Sequence, residues 1–284
     1  MRRGCLIQGA GGWGEFAPFD DYSAEAAARW LACAREQADR AWPTPVRTEV
    51  AVNAIVPAVE PADAARMAVA SGCQTIKVKV GDGSGFARVA AIREAMPDAR
   101  LRVDVNGGWT LTEAIEQLKE LRVLELEYAE QPVRSFDDMS RLRSAVDVPL
   151  AADELIRIDR RFADVRQAAD VAVLKVAPLG GVATTLDVAA RVGLPVVISS
   201  ALDSSMGLAA SVAAACALPN PPLACGLGTG LLFAQDTATP LLPVDGRVAY
   251  QGYPEPCDFE PVWDDAEYWR GRLGLTVGGD ATRQ

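Results

Sequence analysis

The chain has 284 residues, 50% of them hydrophobic and 23% charged, which suits one large domain, or a large and a small one, around a sizeable core. Its formal net charge of −10, with no basic run, excludes a nucleic-acid partner, because neutralising phosphates needs a basic face. Histidine is absent, which removes Ser-His-Asp and Cys-His catalysis and HExxH zinc chemistry together.

Taken in chain order, residues 1–47 begin without a long apolar region or a small-residue cleavage site. Gly11-Gly12-Trp13-Gly14-Glu15-Phe16 reads as the end of a strand and a loop, followed by a helix over 23–40. From about residue 48 short β-rich runs alternate with helical ones. Strands are predicted at 52–57, 75–80, 100–105, 125–131, 148–153, 171–176, 195–200 and 222–227, and helices at 61–71, 86–96, 111–122, 136–145, 160–169, 181–193 and 206–218. Pro61 near a helix start, Thr110 with Glu113 three residues on, and Gly193 past a helix end supply the boundaries. Eight strands alternating with helices predict a (β/α)8 TIM barrel over 48–235, and no GxGxxG opens the first unit to favour a dinucleotide fold. Residues 236–284 lack βα periodicity and are expected to complete, with residues 1–47, a small α+β capping domain. No apolar run approaches the roughly 20 residues of a membrane span. The six cysteines are scattered without a CxxC pair, as reduced buried thiols would be. A soluble, cytoplasmic protein is expected, its oligomeric state open.

Lysine is scarce: only Lys77, Lys79, Lys119 and Lys175 occur, and three of these lie in apolar strand-like runs. Side chains alternate along a strand, so Lys77 and Lys79 share one face while Val78 and Val80 share the other. A barrel turns its outer face to helices, which suits the valines, so both lysines are predicted to point inward. One strand-end lysine would be read as snorkelling to solvent; a pair, with Lys175 on another inner strand, points to chemistry.

Three carboxylates sharpen that reading. Asp104, Glu130 and Asp153 close three successive predicted strands, at the rim where barrel enzymes keep their active sites. A single strand-end acid is more often a helix cap. Three clustered acids cannot all ionise cheaply without a cation among them, and an oxygen-only ligand set selects a hard ion, magnesium first and manganese second. Lys79 and Lys175 flank the acids, so a small-molecule carboxylate at the metal would have one lysine at each face of its α-carbon. Removing the α-proton there gives an enediolate whose charge a dication can absorb. Lys77, two residues behind Lys79, would be a second ammonium that disfavours protonation of the base.

These segments, Lys77-Val78-Lys79, Asp104-Val105-Asn106, Glu130-Gln131-Pro132, Ala152-Asp153-Glu154 and Leu174-Lys175-Val176-Ala177-Pro178-Leu179-Gly180-Gly181, resemble the ordered signature of the enolase superfamily and of its muconate lactonizing subgroup. Over nearly the whole chain a finer likeness, in residues 12–19, 52–57, 198–208 and 224–229, is to the o-succinylbenzoate synthase family. The resemblance implies catalysis by Lys79 and Lys175, magnesium on Asp104, Glu130 and Asp153, and a supporting role for Asn106 in orienting a metal ligand. It also implies that Ser199 and the backbone at Gly226 contact the acidic groups of the substrate. The implied reaction is the dehydration of 2-succinyl-6-hydroxycyclohexa-2,4-diene-1-carboxylate to 2-succinylbenzoate, a step of menaquinone biosynthesis. N-succinylamino acid racemases and dipeptide epimerases use the same five residues and are the near alternative; a non-catalytic metal-binding barrel is the remote one. Members of the family carry a further strand before the position of Arg3-Gly4-Cys5, so the cap is expected to be shortened at its N-terminus.

Overall fold

Short strands whose apolar side chains repeat every second residue build the centre of the molecule, and the computed structural model describes residues 2–257 and 266–276. The first elements are an antiparallel hairpin of β1 (Cys5–Gln8) and β2 (Trp13–Phe16), with α1 (Ala24–Ala38) lying against it. The sequence suggested only one strand end here, because four-residue strands beside a glycine-rich turn carry little pattern. Ser23 starts α1, its side chain accepting a hydrogen bond from the Ala26 amide at 3.2 Å. A Cβ at Gly14 would overlap the Ala34 carbonyl of α1, so strand and helix pack backbone to backbone. Gly14→Ala should lower stability by about 1–3 kcal/mol, seen as a lower urea midpoint at unchanged slope. An unchanged midpoint would mean that this contact yields without cost.

After β3 (Glu49–Ala51) the chain enters the alternating region: β4 (Asn53–Val56), α2 (Pro61–Ala70), β5 (Thr75–Lys79), α3 (Gly85–Ala95), β6 (Arg100–Asp104) and α4 (Leu111–Leu121). It continues with β7 (Leu126–Glu130), α5 (Phe136–Ala145), β8 (Leu150–Ala152), α6 (Glu154–Arg157), β9 (Val171–Lys175), α7 (Val176–Leu179), α8 (Val182–Val192), β10 (Val196–Ser199) and α9 (Ser205–Ala217). The strands form one curled seven-stranded parallel sheet in the order β10-β9-β8-β7-β6-β5-β4. Pro61 occupies the first turn of α2, and Thr110 and Glu113 close a reciprocal capping box on α4.

Two expectations are corrected. Residues 222–227 form no regular strand; Cys225 bridges Val52 and Gly226 bridges Ser199, both in parallel sense. Pro221 and Pro222, which lack amide donors, confine the pairing to those few residues. The Cys225 amide donates to Ala51 and the Gly226 amide to Ile198, at 2.7 and 2.9 Å, so this segment hydrogen-bonds toward both edges of the sheet. The helix expected at 160–169 is reduced to a 3-10 turn at Val165–Gln167, preceded by the short α6. Phe162, Val165, Ala168 and Ala169 are buried at near-helical spacing, while Arg160 takes a left-handed φ of 55° that breaks a helix.

Each strand has two distinct faces. Ile76, Val78, Leu101, Val103, Ala172 and Leu174 join the helices in the main core, each buried Val or Leu contributing about 1.5–3 kcal/mol. On the other face Tyr128, Ala151, Val171, Val173 and Val197 make a separate apolar cluster, and the polar residues Lys77, Arg102, Asp104 and Glu130 alternate onto that same side.

Beyond the sheet, β11 (Arg247–Ala249) pairs antiparallel with β3. The last described helix, α10 (Ala266–Thr276), packs on α1 and sets Trp269 edge-on to Phe16 at 5.9 Å. Of the expected capping segment 236–284, residues 258–265 and 277–284 lie outside the described residues. Among the described residues no helix is long and apolar enough to cross a membrane.

Candidate active site

The parallel register gathers the acids and lysines at the C-terminal ends of the strands. Lys79 is paired with Asp104, Asp104 with Glu130, and Lys175 with Ser199. Asp153 follows directly on β8. Asp104, Glu130 and Asp153 are each no more than 1% exposed. Acids buried this deeply need counter-charges, and the lysines supply them.

The Lys77 ammonium donates to Asp104 Oδ2 at 3.0 Å and to both Glu130 oxygens at 3.0 and 3.1 Å. Lys79 reaches the same Asp104 Oδ2 at 2.7 Å and Asn106 Oδ1 at 2.5 Å. Lys175 donates to Asp153 Oδ2 at 2.7 Å. Burial opposes charge on Lys77, yet Glu130 and Asp104 outweigh it and hold the ammonium well above the usual lysine range. Burial likewise pushes Asp104 up, but Lys77 and Lys79 bring it down to about 2. Glu130 goes the other way, to about 7, because burial and the nearby charges of Asp104 and Asp153 exceed what Lys77 offsets. Lys175 is raised: burial works against its charge, but Asp153 more than compensates.

The remaining sequence candidates fall close by. Asn106 adopts a left-handed φ of 52°, and its amide donates to Asp104 Oδ1 at 3.1 Å, so Asn106 grips the second oxygen of that acid. Ser199 ends β10 and is buried; a Cβ on Gly226 would stand 2.5 Å from its Oγ. A side chain at Gly226 would push that hydroxyl from its place. A cleft of about 640 Å³, lined by Val46, Arg47, Glu49 and Arg247 among others, contains none of these residues.

Three contributors were not singled out in the sequence. Gln131, fully buried at φ 40°, accepts from the Asp153 and Leu155 amides at 3.1 and 3.3 Å, locking the end of β8 to β7. Arg157 donates to Asp153 Oδ1 at 3.0 Å, to Glu154 Oε1 at 2.7 Å and to the Tyr22 hydroxyl at 2.6 Å. Gln131 lay within a quoted motif, and its signal was an amide side chain directly after a strand-end acid. Arg157 and Tyr22 are 135 residues apart in the chain and carried no local signal.

The donor set is oxygen only, and Glu130 remains short of positive charge despite Lys77. That suits a hard divalent ion. Among the described residues no three acids already stand together as a ready-made cage; the ammoniums lie between them, as counter-charges that a dication could replace.

The enolase C-terminal domain-like family matches residues 60–254, and the enolase N-terminal domain-like family matches residues 1–38. The o-succinylbenzoate synthase of Thermobifida fusca (strain YX) is 51% identical over 255 residues, covering 87% of this chain and 80% of the relative. That of Mycolicibacterium smegmatis is 48% identical over 269 residues, covering 90% and 82%. The chain belongs to the o-succinylbenzoate synthase family, within the enolase superfamily. A solved mandelate racemase/muconate lactonizing enzyme from Roseiflexus sp. superposes with a TM-score of 0.75 at 25% identity, covering 87% of this chain and 90% of that one. Enzymes of the o-succinylbenzoate synthase family are hydro-lyases that generally depend on a divalent metal.

Proposed function

We propose that the protein dehydrates 2-succinyl-6-hydroxycyclohexa-2,4-diene-1-carboxylate to 2-succinylbenzoate in menaquinone biosynthesis, using Lys79 as the proton carrier and Lys175 as a fixed charge. The observation that carries the reading is the pair of lysines at opposite ends of one row of buried acids, Lys79 on Asp104 and Lys175 on Asp153, in a chain about half identical to enzymes of that name. The parallel bridges at Cys225 and Gly226 favour closure of the sheet into an eight-membered (β/α)8 barrel over 48–235. Residues 1–47 with 236–284 are proposed as its cap.

Asp104, Glu130 and Asp153 are the residues that would hold the ion, Mg2+ in preference to Mn2+, which when bound supplies positive charge to the substrate carboxylate as its α-proton leaves. Lys79, the more exposed of the two lysines at 35% against 17%, takes the α-proton. It then returns that proton to the departing hydroxyl, which leaves as water while Lys79 regains its neutral form. Lys175 stays protonated, and its raised proton affinity beside Asp153 suits that role. Lys77 keeps Asp104 and Glu130 compensated from beneath. Ser199 and the Gly226 backbone receive the acidic groups of the substrate, the missing Cβ letting the Ser199 hydroxyl sit against that backbone. Asn106 orients Asp104 through the amide contact to Oδ1.

Asp104→Asn, Glu130→Gln and Asp153→Asn should each abolish turnover of the cyclohexadiene acid and weaken Mg2+ binding while leaving the chain folded, as read by product absorbance, calorimetry and circular dichroism. Undiminished turnover in excess chelator would exclude the metal role.

A further inference from the structure

Asp153 stands between two cations of different kinds. Lys175 holds Oδ2 through a flexible stem, whereas Arg157 holds Oδ1 through its Nε. The guanidinium is planar, so its other donors fix its tilt. Nη2 is taken by Glu154 at 2.7 Å and Nη1 by the Tyr22 hydroxyl at 2.6 Å. Burial disfavours charge on Arg157, but Asp153 and Glu154 more than restore it, so the side chain is a permanent cation.

Tyr22 belongs to the loop between β2 and α1, not to the sheet. Its ring meets Phe19 and Trp30, each about 6.0 Å away. Arg272 of α10 donates to the Phe19 and Tyr22 carbonyls at 2.6 and 3.0 Å. Within residues 19–22, the Tyr22 hydroxyl joins the backbone-held loop to Arg157, and through Arg157 to an acid of the reacting end of the sheet.

We propose that Arg157 is a positioning residue that couples the loop at residues 19–22 to Asp153, so that a divalent cation at the acids and the docked setting of Tyr22 stabilise one another. The inference rests on the reading of Asp153 as a metal-holding acid. When a cation displaces Lys175 from Asp153, Arg157 still grips the other oxygen, and its angle is set in part by Tyr22. Coupling of this kind is reciprocal: what the loop adds to cation affinity, the cation returns to loop order.

The test uses the full chain, Mg2+ alone and no substrate, with calorimetry for affinity and hydrogen exchange for residues 19–22. Tyr22→Phe removes one hydroxyl and leaves the ring packing, so the fold is retained. Wild type should bind Mg2+ and gain protection over 19–22 on binding. Tyr22→Phe should bind about five-fold more weakly and lose the Mg2+-induced protection. Arg157→Lys, which keeps the charge and loses the fork, should bind roughly ten-fold or more weakly and lose it too. If either readout in Tyr22→Phe matches wild type, the coupling is overturned and the metal reading stands. If wild type itself binds no Mg2+, the metal reading falls and takes the coupling with it.

Discussion

Lys79→Arg should be inactive in dehydration, while Lys175→Arg keeps a measurable fraction of turnover. The two positions look alike in sequence, each a lysine at a strand end, but the reaction asks different things of them. Proton removal and hydroxyl protonation on one face fall to a single base. A guanidinium cannot give up its proton at working pH, so Lys79→Arg loses general-base catalysis, about 10²–10⁴-fold. Lys175 need only remain charged near the developing anion, and arginine preserves that charge in a larger head group. Lys175→Ala should fall well below Lys175→Arg, by about 10²–10³-fold relative to wild type, because a developing anion loses a nearby cation in a water-poor site. Racemisation of an N-succinylamino acid exchanges protons on both faces, so there both arginine variants should fail alike. Turnover of each folded, Mg2+-binding variant with both substrates separates the two chemistries. Equal inactivity of the two arginine variants in dehydration would falsify this division of labour.

Lys77→Met should destabilise the protein by about 3–5 kcal/mol, the range for removing one partner of a buried ion pair. Lys77 is the only residue whose ammonium contacts both Asp104 and Glu130 among the described hydrogen bonds, and a methionine leaves two adjacent carboxylates with Lys79 alone on one of them. The loss should depend on pH in a definite sense. Glu130 is held at about 7 in the folded chain, above its ordinary 4.5, and removing Lys77 raises it further. Between those values the folded chain keeps a proton that the unfolded chain has lost, so stability falls as pH rises through the window. The deficit of Lys77→Met should therefore widen above about pH 7, where Glu130 has lost its proton in the wild type but still keeps it in the variant. Mg2+ should restore part of it, since a ligand that binds only the folded state stabilises it. Urea titrations at several pH values, with and without Mg2+, provide the measurement; a deficit independent of both would show that Lys77 is not compensating the acids.

Much of the candidate site was legible because its signals are local. Period-two alternation placed Lys77 and Lys79 on one face, and acids at the ends of three successive runs implied a shared rim. The parallel register then set Lys79 beside Asp104 and Asp104 beside Glu130. What stayed hidden depends on contacts remote in sequence. The pattern at 222–227 read as a full strand, yet only two residues bridge, because alternation reports burial and not how many amides find partners. At 160–169 the apolar spacing was helical, but Arg160 adopts a left-handed conformation and the chain turns instead. The roles of Arg157 and Tyr22 could not be read at all, since their partnership spans elements that only the fold brings together.

The pairing of residues 225 and 226 with both edges of the sheet also sets an order of events during synthesis. Val52 and Cys225 meet across more than half the chain, whereas Lys77, Asp104 and Glu130 lie on neighbouring strands. The acid and lysine cluster can thus assemble while the seam between Val52 and Ser199 is still open, because the segment that bridges it is made about a hundred residues after Glu130. Such non-local closure is slow, and until it occurs the edges at β4 and β10 present unpaired backbone to other chains. The interval between assembly of the acid and lysine cluster and pairing of residues 225 and 226 is the stage at which nascent or refolding chains should be most prone to associate.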